Sequence, residues 1–185
     1  MPWARLPEHM RNHTPLPEEY SRVTNPERFR ILHSAMLDTL ARLEADFDVR
    51  REEGYGLDKE LERDYPLARA SVRLTPVDPE AAPVTVVFTD FPGLYLRFGL
   101  WWTEPLPDCS CDACGSSGEE EVEVLAELIE DVTTSGRFWE SRDPHWTSRG
   151  IWGKSSGRRR NLGGTEDWSH QRQLNWKPWP RRDSS

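Results

Sequence analysis

Cys109, Cys111 and Cys114 are the only cysteines of the chain, and they crowd into Pro107-Asp108-Cys109-Ser110-Cys111-Asp112-Ala113-Cys114-Gly115. Thiolates this close together suit two kinds of chemistry, metal capture and thiol–disulfide exchange. Cys111-x-x-Cys114-Gly115 has the form of half a zinc knuckle: two thiolates on a tight turn, with glycine relieving the backbone so that amides can face the sulfurs. Cys109 offers a third thiolate. A structural zinc ion takes four ligands in a tetrahedron, and there is no second Cys-x-x-Cys pair, so a fourth donor must come from elsewhere. His145 is the first choice, because Trp139 and Trp146 should draw that segment toward the body of the protein. His33, Asp108 and Asp112 are the alternatives. Redox exchange through Cys111 and Cys114 is the competing reading. Asp108, Asp112 and Glu119 to Glu121 surround the thiols with negative charge, which raises a thiol pKa and blunts its nucleophilicity. Free thiols in a turn-rich loop are the third reading.

Catalytic patterns are otherwise missing from the sequence. It has no Gly-rich phosphate loop, no His-Glu-x-x-His, no Gly-x-Ser-x-Gly elbow and no dinucleotide fingerprint. Histidines at 9, 13, 33, 145 and 170 are scattered. These absences lean away from an enzyme without deciding the matter.

The elements that must position the cysteine loop follow from hydrophobic period. Asn25-Pro26-Glu27 supplies a cap residue, a proline for the first turn and an acid near the positive end of a helix. Phe29, Leu32, Met36, Leu40, Leu43 and Phe47 then stack on one helical face, with a stop expected near Gly54 and a short further turn over Leu57 to Asp64. Ala68, Ala70, Val72 and Leu74 alternate with polar residues as a strand does, and Val84, Val86 and Phe88 repeat the pattern. Asp90-Phe91-Pro92-Gly93 is a tight turn, after which Leu94, Leu96, Phe98, Leu100 and Trp102 read as the inward face of a third strand. Beyond the cysteines, Ser117-Gly118-Glu119-Glu120 matches a capping box and Val122, Leu125, Leu128, Ile129 and Val132 form an apolar stripe ending near Gly136. The fold class expected is α+β: a three-stranded or slightly larger antiparallel meander packed against two amphipathic helices. Residues 1–23 read as an irregular arm pinned by Trp3 and Leu6, residues 24–140 as a single domain, and residues 141–185 as a mostly irregular tail.

With 185 residues, 36% hydrophobic and 30% charged, the chain suits one soluble domain. Its opening residues lack the apolar stretch of a signal peptide and Arg97 interrupts the longest apolar run, so the expected compartment is the cytoplasm, with no membrane contact. The net charge of −8 divides unevenly, −14 over residues 1–136 and +6 over residues 137–185. The halves attract each other, and an acidic surface could also hold a basic partner. The tail combines tryptophans with Arg158, Arg159 and Arg160, the ingredients of a single-strand nucleic-acid binder, but the acidic body opposes nucleic acid. The competing expectation is that Trp176 and Trp179 clasp the domain's own surface.

The run from Phe91-Pro92-Gly93-Leu94-Tyr95-Leu96-Arg97-Phe98-Gly99 through Cys109-Ser110-Cys111-Asp112-Ala113-Cys114, the acidic helix, Gly136-Arg137-Phe138 and the ending from Trp176 to Arg182 resemble a family of actinobacterial proteins. That family is a domain of unknown function, so the resemblance implies neither activity nor substrate. Gly115 stands where the pattern would have an acid, which removes one source of a fourth ligand. Taken together, the expectation is a non-enzymatic module binding a protein partner, with zinc clipped by the cysteine loop and a contact surface at Tyr95, Arg97 and Trp101, aromatic and arginine residues typical of binding hot spots. A cysteine-based metal or redox enzyme and a single-strand binder are the alternatives.

Overall fold

The computed structural model describes residues 15–54, 68–136, 138–142, 146–151, 154–159 and 172–182. Trp3, Leu6 and the turn expected over Leu57 to Asp64 lie outside the described residues. Short 3-10 turns over Pro17–Tyr20 and Pro26–Phe29 lead into helix α1, Ile31–Asp46. All six residues of its expected apolar face are buried, Phe29 and Phe47 flanking the helix proper. The helix stops well before Gly54, because Phe47 turns to extended backbone. The chain continues as strand β1, Val49–Glu53, whose charged side chains had masked it.

β1 opens a five-stranded antiparallel meander with β2 (Ala68–Pro76), β3 (Val84–Thr89), β4 (Leu94–Phe98) and β5 (Trp102–Leu106), in that spatial order. The sequence suggested three strands or slightly more. The additional edge strand β5 arises because the apparent third strand folds on itself: Gly99 takes a φ of 63° and the run from Leu94 to Trp102 becomes a hairpin. Leu100, expected inward, sits exposed in the turn. One sheet face carries Val72, Leu74, Val84, Val86, Leu96 and Phe98 into a core shared with α1 and helix α2, Gly118–Thr133. Removing such side chains from water is the main force assembling the domain.

The capping box of α2 is present: the Glu120 N–H donates to Ser117 Oγ at 3.1 Å, and Glu120 Oε2 accepts from the Ser117 N–H at 2.9 Å. Gly118 lies where α2 meets the start of α1, so tightly that a Cβ there would overlap the Arg28 carbonyl and the Ile31 side chain. At their other ends the helices meet across Trp179, whose ring packs edge-on against Phe47 at 5.6 Å while its backbone N–H donates to the Thr133 carbonyl at 2.8 Å. The two helices therefore run in the same direction over the sheet.

The tail departs most from expectation. Strands β6 (Trp139–Arg142), β7 (Trp146–Ile151), β8 (Lys154–Arg159) and β9 (Arg172–Asn175) form a second antiparallel sheet ordered β8-β7-β6-β9. Their polar composition gave no apolar alternation from which to read strands. The clasp, in contrast, is as expected: Trp179 is buried and its indole N–H donates to the Ala82 carbonyl at 2.8 Å. Lys177 and Arg182 add backbone bonds to Glu80 and Asp46.

Glu140 joins the two sheets. It is fully buried on β6, and its carboxylate accepts from the backbone N–H groups of Leu100 (2.7 Å), Trp101 (2.8 Å) and Trp102 (3.1 Å) and from the Trp176 indole (3.0 Å). Burial pushes its pKa up, against the downward pull of these donors. A side chain on Gly99 would overlap the carboxylate, so glycine there serves both the turn and this contact. Among the described residues no helix is long and apolar enough to cross a membrane.

Candidate metal centre

The loop between β5 and α2 brings the three cysteines together. Cys109 Sγ lies 3.3 Å from Cys111 Sγ, which lies 3.4 Å from Cys114 Sγ, and all three sulfurs fall within 4.8 Å of one another. Cys109 is exposed, Cys111 buried and Cys114 between the two. Burial pushes the Cys111 thiol up, but the Cys109 thiol and the amides of Cys114 and Ala113 outweigh it, leaving its pKa below the ordinary thiol value. Those amides facing the sulfur are the feature expected of a knuckle turn, with Gly115 at a φ of 58° behind them. Burial, followed by the neighbouring sulfurs, raises Cys114 to about 12. Three sulfurs this close cannot all hold negative charge without a compensating cation, so a thiolate-seeking divalent ion fits the donor set.

Asp112 has a different part from the one its position suggested. Its carboxylate accepts from the Thr24 N–H at 2.8 Å, from Arg22 Nε at 2.7 Å and from the Thr24 hydroxyl, so it tethers the segment before α1 rather than completing a ligand set. These contacts hold its pKa down at about 2. The loop backbone reinforces the tether, with Asp112 N–H donating to the Arg22 carbonyl at 2.8 Å and Ala113 N–H to the Glu19 carbonyl at 3.2 Å. Arg28, which sequence reasoning passed over, bridges the loop's two sides by donating to the Ser110 and Ser116 carbonyls at 2.9 and 3.0 Å. No local pattern could have revealed it, since it acts across more than 80 residues.

His33 is engaged elsewhere: its Nε2 lies 2.9 Å from the Gly93 carbonyl and its ring packs edge-on against Phe88. His145 lies outside the described residues. Among the described residues the sulfur group includes no histidine or carboxylate. Tyr95 and Arg97 share the face of β4 turned away from the helices, both half-buried, where their β3 neighbours Thr85 and Val87 are buried. Trp101 is set apart from them, half-buried in the β4–β5 turn with its N–H on Glu140.

A family model described as a family of unknown function (DUF6226) matches residues 2–183. No curated protein and no solved structure matches the chain.

Proposed function

The chain belongs to this family of unknown function, and we propose that it is a non-enzymatic binding module whose cysteine loop holds a zinc ion in a structural role. The observation that carries the zinc reading is the gathering of three sulfurs within 4.8 Å on a loop tethered to the segment before α1. Asp112, Arg28 and the amides of Asp112 and Ala113 hold the segment from Glu19 to Arg28. An ion at the sulfurs would fix the shape of the loop on which that segment depends. Cys109, Cys111 and Cys114 would be its ligands, with His145 as the fourth.

A protein partner is the proposed target, contacted through Tyr95, Arg97 and Trp101, each of which keeps part of its surface in solvent. Nucleic acid is the poorer candidate. Trp179 is buried with its ring against Phe47 and so offers no free face for stacking on bases, and the Trp176 indole N–H is held by Glu140. The proposed compartment is the cytoplasm, where reducing conditions keep thiols available for metal.

The test is metal content by mass spectrometry on untagged protein purified under reducing conditions. About one zinc per chain is expected, absent from a variant with Cys109, Cys111 and Cys114 all replaced by serine. Wild-type protein free of metal, and refusing added zinc, would sink the reading. For the partner, a captured protein that still binds after Tyr95, Arg97 and Trp101 are replaced together by alanine would place the contact elsewhere.

A further inference from the structure

We infer that Cys109 is a peroxide-sensitive modification site whose oxidation, captured by Cys111, ejects the metal and releases the segment before α1; this rests on the zinc reading above. The three sulfurs differ in accessibility in a way that orders the chemistry. Cys109 is the exposed one, while Cys111 is only 6% exposed and Cys114 is partly covered. A small oxidant arriving from solvent meets Cys109 first. Cys111 then stands 3.3 Å behind it, at attacking distance.

The steps balance with hydrogen peroxide as the oxidant. The Cys109 thiolate attacks one peroxide oxygen, the O–O bond breaks, and Cys109 sulfenic acid forms with loss of hydroxide. The Cys111 thiolate then attacks the Cys109 sulfur, forming the S–S bond and breaking the S–O bond with loss of a second hydroxide. Two protons from solvent turn both hydroxides to water. Two electrons pass from the sulfurs to peroxide, and the zinc ion keeps its charge throughout. A disulfide is a far poorer ligand than two thiolates, so the ion is left with Cys114 and whatever fourth donor it has, and departs to solvent.

The fold turns this local event into a wider one. Bringing the two sulfurs to bonding distance displaces the backbone between Ser110 and Asp112. That stretch carries the Ser110 carbonyl held by Arg28, the Asp112 amide on Arg22 and the Asp112 carboxylate on Thr24. The segment from Glu19 to Thr24 loses its tether with the metal.

The experiment uses the full-length, zinc-loaded chain treated with graded hydrogen peroxide. A chromogenic chelator reads released zinc, peptide mass spectrometry maps the disulfide, and brief trypsin treatment reads cutting after the exposed Arg22. Expected are zinc release in step with a Cys109–Cys111 bond, reversal of both by reductant with zinc restored, and several-fold faster cutting after Arg22. Zinc retained while that bond forms, a Cys111–Cys114 bond with Cys109 still reduced, or an unchanged rate of cutting after Arg22 would overturn the inference alone. Untreated protein that takes up no zinc would instead overturn the zinc reading, and metal ejection with it.

Discussion

Replacing Glu140 with glutamine tests whether one buried carboxylate joins the two sheets. Each carboxylate oxygen serves two donors: Oε1 accepts from Leu100 N–H and the Trp176 indole, and Oε2 from the N–H groups of Trp101 and Trp102. Glutamine keeps one oxygen and sets an NH2 group against the other pair. Two donors, at least partly buried, are then left facing a donor, at about 1–3 kcal/mol each, or roughly 2–6 kcal/mol in all. For a chain of this size that lowers the thermal midpoint by at least ~4 °C. Trp176→Phe is the control, because it removes one donor and leaves the carboxylate three others; the lost bond costs only about 0.5–1.5 kcal/mol, with a further contribution from lost ring area. Both variants should be unfolded in urea and followed by far-ultraviolet circular dichroism, which does not depend on tryptophan fluorescence. Glu140→Gln should be clearly the worse. A loss under about 1 kcal/mol for it, or equal losses for the two variants, would refute the reasoning that the acceptor count at Glu140 holds the junction.

Other perturbations probe the remaining contacts. Gly118→Ala should part the starts of α1 and α2 and cost about 1–3 kcal/mol by overpacking, seen as a lower urea midpoint. Trp179→Ala should cost about 3–5 kcal/mol, since it empties the site between Phe47 and the end of α2; an unchanged midpoint would contradict the clasp. Asp112 has its pKa lowered from 3.8 to about 2 by Thr24 and Arg22, so its tether is fully present above the unfolded value and lost as pH falls through the folded one. Cutting of metal-free protein by an acid-active protease within residues 19–24 should therefore rise as pH falls over that window, and Asp112→Asn should reduce the dependence. Chelation should lower the thermal midpoint of the zinc-loaded wild type and leave the triple-serine variant unmoved, because a ligand that binds only the folded state stabilises it.

The parts legible in the sequence are those whose cause is local. The capping box and apolar stripe of α2 depend on residues within a few positions of one another, and the stripe of α1 likewise. The end of α1 was not legible, because Phe47 leaves the helix to meet Trp179, far along the chain. The division of the third strand was hidden because alternation from Leu94 to Trp102 continues through the turn that Gly99 makes. The second sheet escaped because its strands carry serine, arginine and tryptophan where aliphatic alternation would mark them. The sulfur cluster was readable since its three members are neighbours in sequence, whereas the parts played by Arg28 and Asp112 depend on contacts made only once the chain has folded.

The position of residues 176–182 has a consequence for the timing of folding during synthesis. Both helices and all five strands of the first sheet precede residue 134, yet the contacts closing the ends of α1 and α2 come from Trp179 and its neighbours. A nascent chain that has emerged only as far as α2 holds a complete meander with an unsealed core. Closure must wait for more than 40 further residues to leave the ribosome, and during that interval the exposed apolar surface is open to chaperones or to unwanted association.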